Sequence, residues 1–136
     1  LPRIREHVEL VHSYGAVYHL YDDGKIRHSL PMMREAGVDL VSTVCPPPAG
    51  DVTPGEARDI VGRDVCLNGG IDTVNVVWRG TPETIDAAVR EAIEAAALPE
   101  GGYILGTSDS ITEEVSEENF RAFFEAGRRH GTRHRR

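Results

Sequence analysis

Strand-like and helix-like stretches take turns along this chain, and no hairpin signal stands between any two of the strand-like runs. That alternation admits few folds. Strands separated by helices pair in parallel, and right-handed crossovers lay the helices on the sheet. Residues 16–21 (AVYHLY), 38–44 (VDLVSTV), 65–68 and a run opening at 103–105 read as the strands. Their starts are spaced 22, 27 and 38 residues apart, so the strand–helix units are not close sequence repeats.

The helices carry local start and stop signals. Residues 3–13 place Ile4, Val8 and Val11 on one face, and Gly15 ends the run. A second helix covers 26–36 with Ile26, Leu30 and Met33 inward and Gly37 as its stop; Pro31 predicts a late start or a kink there. Thr53, Pro54 and Glu56 spell a capping box before a short helix that buries Ala57, Ile60 and Val61 and ends at Gly62. Thr81, Pro82 and Glu83 open the longest helix, in which Ile85, Ala88, Val89, Ala92, Ile93 and Ala96 form one apolar stripe. Ser116 caps a last helix with Phe120, Phe123 and Phe124 inward and Gly127 as its end.

Charge narrows the function classes. A formal net charge of −7 argues against a nucleic-acid partner. No apolar run reaches the ~18 residues of a membrane span, and the N-terminus has no secretory apolar segment, so neither a membrane partner nor export is expected. The end of the chain is different: residues 127–136 hold five Arg and no acid, leaving 1–126 at −12, and read as a solvated basic tail. Two cysteines 21 residues apart suit neither a zinc knuckle nor a disulfide scaffold, which points to reduced thiols in the cytoplasm. No Met opens the chain, as expected of a processed protein or a piece of a longer one.

The chemistry-bearing residues stand where strands stop. The first strand runs into Tyr21, Asp22 and Asp23, the second into Cys45, the third into Gly69-Gly70-Ile71-Asp72, and the fourth into Ser108, Asp109 and Ser110. In a parallel α/β protein these ends share one face, and that face hosts the site. Carboxylates brought together there raise one another's pKa unless something uses them. Only one Gly follows the first strand, which excludes the dinucleotide fingerprint, and the strand ends lack the basic clamp of a sugar- or phosphate-binding barrel.

Asp23-Gly24, Glu35-Ala36-Gly37-Val38-Asp39, Gly69-Gly70-Ile71-Asp72-Thr73, Thr81-Pro82-Glu83, Gly102-Tyr103-Ile104-Leu105 and Glu118-Asn119 together resemble the C-terminal half of the uroporphyrinogen decarboxylase superfamily. The resemblance implies an α/β fold of four βα units with parallel strands, the C-terminal half of a (β/α)8 TIM barrel, over residues 1–127, followed by the basic tail 128–136. A whole barrel of this type needs ~250 residues. The implied partner is therefore the missing N-terminal half or a second copy, since four strands leave two open edges.

The implied parent enzyme acts on a tetrapyrrole or related small molecule by decarboxylation, with no cofactor required. The alternatives are a corrinoid-dependent methyltransferase with a divalent metal, zinc in the family, and a non-catalytic half-barrel module; the isolated chain is expected to be inactive. In the methyltransferase branch, a His-x-Cys-Gly motif and a later Cys hold the zinc. Tyr21 stands at the His position and Asp23 at the first Cys position. Asp109 stands at the later one, which is His in the haem-pathway decarboxylase.

The resemblance and the strand-end geometry nominate Tyr21, Asp23 and Asp109 as catalytic candidates. Asp22, Cys45, Asp72, Trp78 and Ser108 are substrate-binding candidates, and His19, Asp23 and Asp109 are the metal-ligand candidates. Each has a structural counter-reading. Asp23 and Asp109 also suit caps for loop N–H groups, Tyr21 a plug for the barrel mouth, and Asp72 a turn brace. Cys45 also suits a small buried apolar side chain, like Cys66, and His19 a satisfied interior histidine.

Overall fold

The computed structural model describes residues 2–131. Among them the elements run α1 (Pro2–Ser13), β1 (His19–Tyr21), α2 (Leu30–Glu35), β2 (Leu40–Val44), α3 (Pro54–Val61), β3 (Cys66–Ile71), a π-helical turn (Thr73–Trp78), α4 (Pro82–Ala96), β4 (Tyr103–Thr107) and α5 (Glu117–Gly131). The strands form one parallel sheet in the order β1-β2-β3-β4, as the alternation of strands and helices requires. This is an α/β half-barrel: helices cover one face, the other is bare, and β1 and β4 are open edges. No helix among the described residues is long and apolar enough to cross a membrane.

Two clusters fill the space between sheet and helices. Val41, Leu67, Leu30, Val61 and Ile26 pack around α2 and α3, and Ile71, Val77, Ile85, Val89 and Phe123 pack around α4 and α5. Each such side chain taken fully out of water contributes roughly 1.5–3 kcal/mol, so this layer carries the fold. Both capping signals are realised. Thr53 accepts the Glu56 amide while Glu56 reaches back to the Thr53 amide at 2.9 Å, and Thr81 caps α4 reciprocally with Thr84.

Several boundaries differ from the sequence reading. The β1 ladder begins at His19 rather than residue 16, because the Asp39 carboxylate takes the Tyr18 amide at 2.6 Å and replaces the first rung. Helix α2 begins at Leu30 with Pro31 in its first turn, where a missing amide costs no intrahelical bond; Ile26 is nevertheless buried, in a turn whose carbonyl receives Ser29 and Leu30. Strand β3 does not stop at Asn68 but continues to Ile71. Gly69 makes this possible: at φ +112° it lies so close to β2 that a Cβ would sit 2.8 Å from the Val44 amide. In α3, Ile60 is only partly buried, while Arg58 is 7% exposed.

The last helix departs most. Phe120 and Phe124 are 42% and 49% exposed, and the buried stripe is Asn119, Phe123, Ala126 and His130. Gly127 does not end α5, which runs on to Gly131 past the expected boundary of the folded region. A Cβ at Gly127 would lie 2.9 Å from the Leu105 side chain, so this glycine seats the helix against β4. His130, read as part of the tail, is buried and bonds Asp86 at 3.0 Å. Residues 132–136, with His134 and the rest of the basic tail, lie outside the described residues.

Candidate functional site

The C-terminal strand ends form an acidic rim centred on Cys45. This buried thiol follows β2 directly. Burial pushes its pKa up; a hydrogen bond with Ser108 opposes the shift, and the charges of Asp72, Asp109 and Asp23 reinforce it. The charges that the loops after β1, β3 and β4 bring to bear on this sulfur are all negative. A thiol so placed stays protonated and is a poor nucleophile at neutral pH.

The end of β4 is stitched to the end of β3. Ser108 receives the Thr73 amide at 3.2 Å and gives its own amide to Ile71. The Thr73 hydroxyl accepts the Asp109 amide at 3.0 Å and donates to the Asp109 carbonyl at 3.1 Å. One carboxylate oxygen of the exposed Asp109 accepts the Ser110 amide at 2.6 Å. Asp23 is likewise exposed at the rim. Asp22 is half-buried, and Ser29 donates to its carboxylate at 3.4 Å.

Asp72 has a different place. It is buried and accepts three hydrogen bonds at 2.8 Å, from the Val74 and Asn75 amides and the Asn75 side chain. Those bonds start the π-helical turn, so Asp72 braces the loop and lends its charge to the rim. Trp78 ends that turn, partly exposed, with the Arg79 guanidinium 4.8 Å over its ring. It shares none of the contacts around Cys45.

The bare face of the sheet leads down from the rim. Tyr21 and His19 on β1, Ser42 on β2 and Asn68 on β3 share this face. Tyr21 is 61% exposed there. Nε2 of His19 lies 2.8 Å from the Ser42 hydroxyl, which donates to the Asn68 side-chain oxygen at 3.1 Å. Reading the sequence missed Ser42, Asn68 and Thr73. The available signal was a polar residue at an alternate position of an apolar strand, two after Leu40 in β2 and two after Cys66 in β3.

A cleft of about 300 Å³ adjoins the rim on the helix side, between the Pro46–Pro48 loop, the start of α3, the π-turn and α4, with Asp72 and Asn75 in its wall. Its walls are mainly Pro47, Pro54, Gly70, Ala92 and Ala95.

The metal expectation meets a poor donor set. Among the described residues, no group of three or more His, Cys, Asp and Glu side chains is placed to hold a metal ion. His19 lies on the bare face with its Nε2 engaged by Ser42, grouped with no other metal-binding side chain, and Cys45 is the one soft donor at the rim. The residues present do not fit a zinc centre of the thiolate–imidazole kind.

Comparison with known proteins agrees with this architecture. The profile of the uroporphyrinogen decarboxylase (URO-D) family matches residues 1–130. A methylated-thiol–coenzyme M methyltransferase from Methanosarcina mazei is 29% identical over 98 residues, covering 71% of this chain and 23% of that protein. A solved methyltransferase structure from the same organism superposes with a TM-score of 0.73 at 19% identity, over 94% of this chain and 34% of that one. The chain therefore spans about a quarter to a third of the proteins it matches.

Proposed function

Because this chain belongs to the uroporphyrinogen decarboxylase family, we propose that it forms one wall of a small-molecule barrel of the methyl-transfer type, rather than of the tetrapyrrole decarboxylase. The observation that carries this is the sign of the rim. Asp23, Asp72 and Asp109 act together on Cys45. A polycarboxylate such as a tetrapyrrole would meet like charge there, whereas an uncharged or cationic methyl donor would not. The likeness to a methylated-thiol methyltransferase points the same way.

In this reading the chain's residues bind and orient. Asp23 and Asp109 face the ligand, Tyr21 offers a hydroxyl beside them, and Asp22 and Ser108 hold the two loops in place. Cys45 is a packing residue whose protonated thiol does not compete for the methyl group. A corrinoid, where one carries the methyl group, arrives as a substrate at the open mouth. No step is assigned to zinc, for which the ligands are wrong. The complementary four-unit half, pairing along β1 and β4, closes the ring.

The test is binding with opposite charges. Tetramethylammonium and propane-1,2,3-tricarboxylate are titrated into the chain while backbone amide resonances are followed. The cation is expected to move the amides of Asp23 and Asp109, and Asp23→Asn with Asp109→Asn to abolish the effect. Binding of the tricarboxylate in place of the cation would return the assignment to the decarboxylase.

A further inference from the structure

The hydrogen bonds across the bare face of the sheet have a forced direction. The Asn68 side-chain nitrogen reaches the Ile104 carbonyl at 3.5 Å. A carbonyl only accepts, so the amide nitrogen faces Ile104 and the amide oxygen faces Ser42. The single hydroxyl proton of Ser42 is then committed to Asn68 at 3.1 Å. Ser42 is 3% exposed, so water does not supply an alternative partner. What remains for His19, 2.8 Å away, is the lone pair of the Ser42 oxygen, and the imidazole must donate from Nε2. Nδ1 of His19 has no protein partner among the described residues, and His19 is exposed on the bare face that also carries Tyr21.

We propose that His19 is a ligand-recognition residue of this wall. Ser42 and Asn68 are its positioning residues: they oblige Nε2 to carry a proton, so that in the neutral ring Nδ1 is a bare acceptor. The ligand class is a small molecule presenting an O–H or N–H donor to the inner wall below the rim. Ethers and other donor-free molecules of the same shape are not held by this atom. The assignment is independent of the reaction, because it depends on three side chains that the acidic rim does not include.

The experiment reads the tautomer directly. Long-range proton–nitrogen correlation spectra of the ¹⁵N-labelled chain, with His19→Gln identifying the signal, are expected to show neutral His19 with a proton-bearing Nε2 and a bare Nδ1. Asn68→Leu frees the Ser42 proton to point at His19 and is expected to shift the population toward the Nδ1–H form. Asn68→Asp keeps an acceptor and leaves the tautomer as it was. Phenol, followed by its methyl ether anisole, then probes the ligand class: phenol is expected to move the Nδ1 resonance and anisole to leave it in place. A wild-type ring already protonated at Nδ1 overturns the proposal without any variant having to fold. An Nδ1 signal that answers to neither probe, or equally to both, overturns the ligand class.

Discussion

Arg58 on α3 and Gly102, the residue before β4, are joined by a hydrogen bond from guanidinium to carbonyl across 44 positions of sequence. The same guanidinium also donates to the carbonyls of Gly62, Val65 and Ala96. These four acceptors are the end of α3, the approach to β3, the end of α4 and the approach to β4. One buried side chain thus ties together the N-terminal end of the sheet, opposite the acidic rim. Arg58→Met should therefore cost about 3 kcal/mol by leaving buried carbonyls unmet. Arg58→Lys should recover little, since one ammonium cannot serve four directions. Urea unfolding measures both, and ligand-induced shifts at the rim should survive in whatever fraction stays folded.

Asp72→Ala should destabilise the chain by about 1–2 kcal/mol, the range for a lost helix cap. The loss follows from three hydrogen bonds that start the π-helical turn. Denaturant titration gives the magnitude, and the Val74 and Asn75 amides should lose their hydrogen-exchange protection first.

Stability should fall in acid through Glu56. Its carboxylate accepts from the Thr53 amide, from Arg27 and from the Thr53 hydroxyl, which hold it at about 2 rather than 4.5. A folded-state value below the unfolded one gives stability that is complete above pH 4.5 and lost as pH falls toward 2. Thermal melts across that window should show the decline, and Glu56→Gln should flatten part of it.

Alkylation should discriminate between the two cysteines. Burial raises both thiols, but Cys45 is enclosed beneath the rim whereas Cys66 is half-buried on the bare face and feels Arg58, which lowers it. Iodoacetamide at neutral pH should label Cys66 ahead of Cys45 in the native chain, as peptide mass spectrometry would show. Equal labelling would mean that the loop after β2 opens.

The open flanks should tolerate charge in the isolated chain. The tilted rings of Phe120 and Phe124 meet at 4.8 Å on the outside of α5, and Leu10, Tyr14 and Val17 are exposed beside the other edge. Phe124→Glu should change stability by less than about 0.5 kcal/mol yet weaken association with a complementary half-barrel, measured by sedimentation of the mixture.

What could be read from the sequence was what is decided locally. The Thr53 and Thr81 caps depend on residues within one turn, and the parallel order follows from helices separating the strands. The gathering of Asp23, Asp72 and Asp109 near Cys45 follows from that order, because strand ends of a parallel sheet share a face. What escaped depends on distant partners. Nothing near Arg58 in sequence announces its four carbonyls. Phe120, Phe123 and Phe124 share a helix face by their spacing, but the helix is turned so that the stripe meeting the sheet is Asn119, Phe123, Ala126 and His130, and Asn119 and His130 look solvent-bound in the sequence. Gly127 resembles a helix stop until Leu105 is placed beneath it.

The amide of Asn119 has a consequence for how the protein is made. Its two N–H groups donate to the carbonyls of Val77 and Gly80 at 2.9 Å, the latter 39 positions earlier. A ribosome delivers those carbonyls well before it delivers the group that satisfies them. The loop carrying Asp72 therefore stays provisional during synthesis and is finished only when the final helix arrives, so a chain released before Glu117 would be left with an unsettled mouth as well as a missing end.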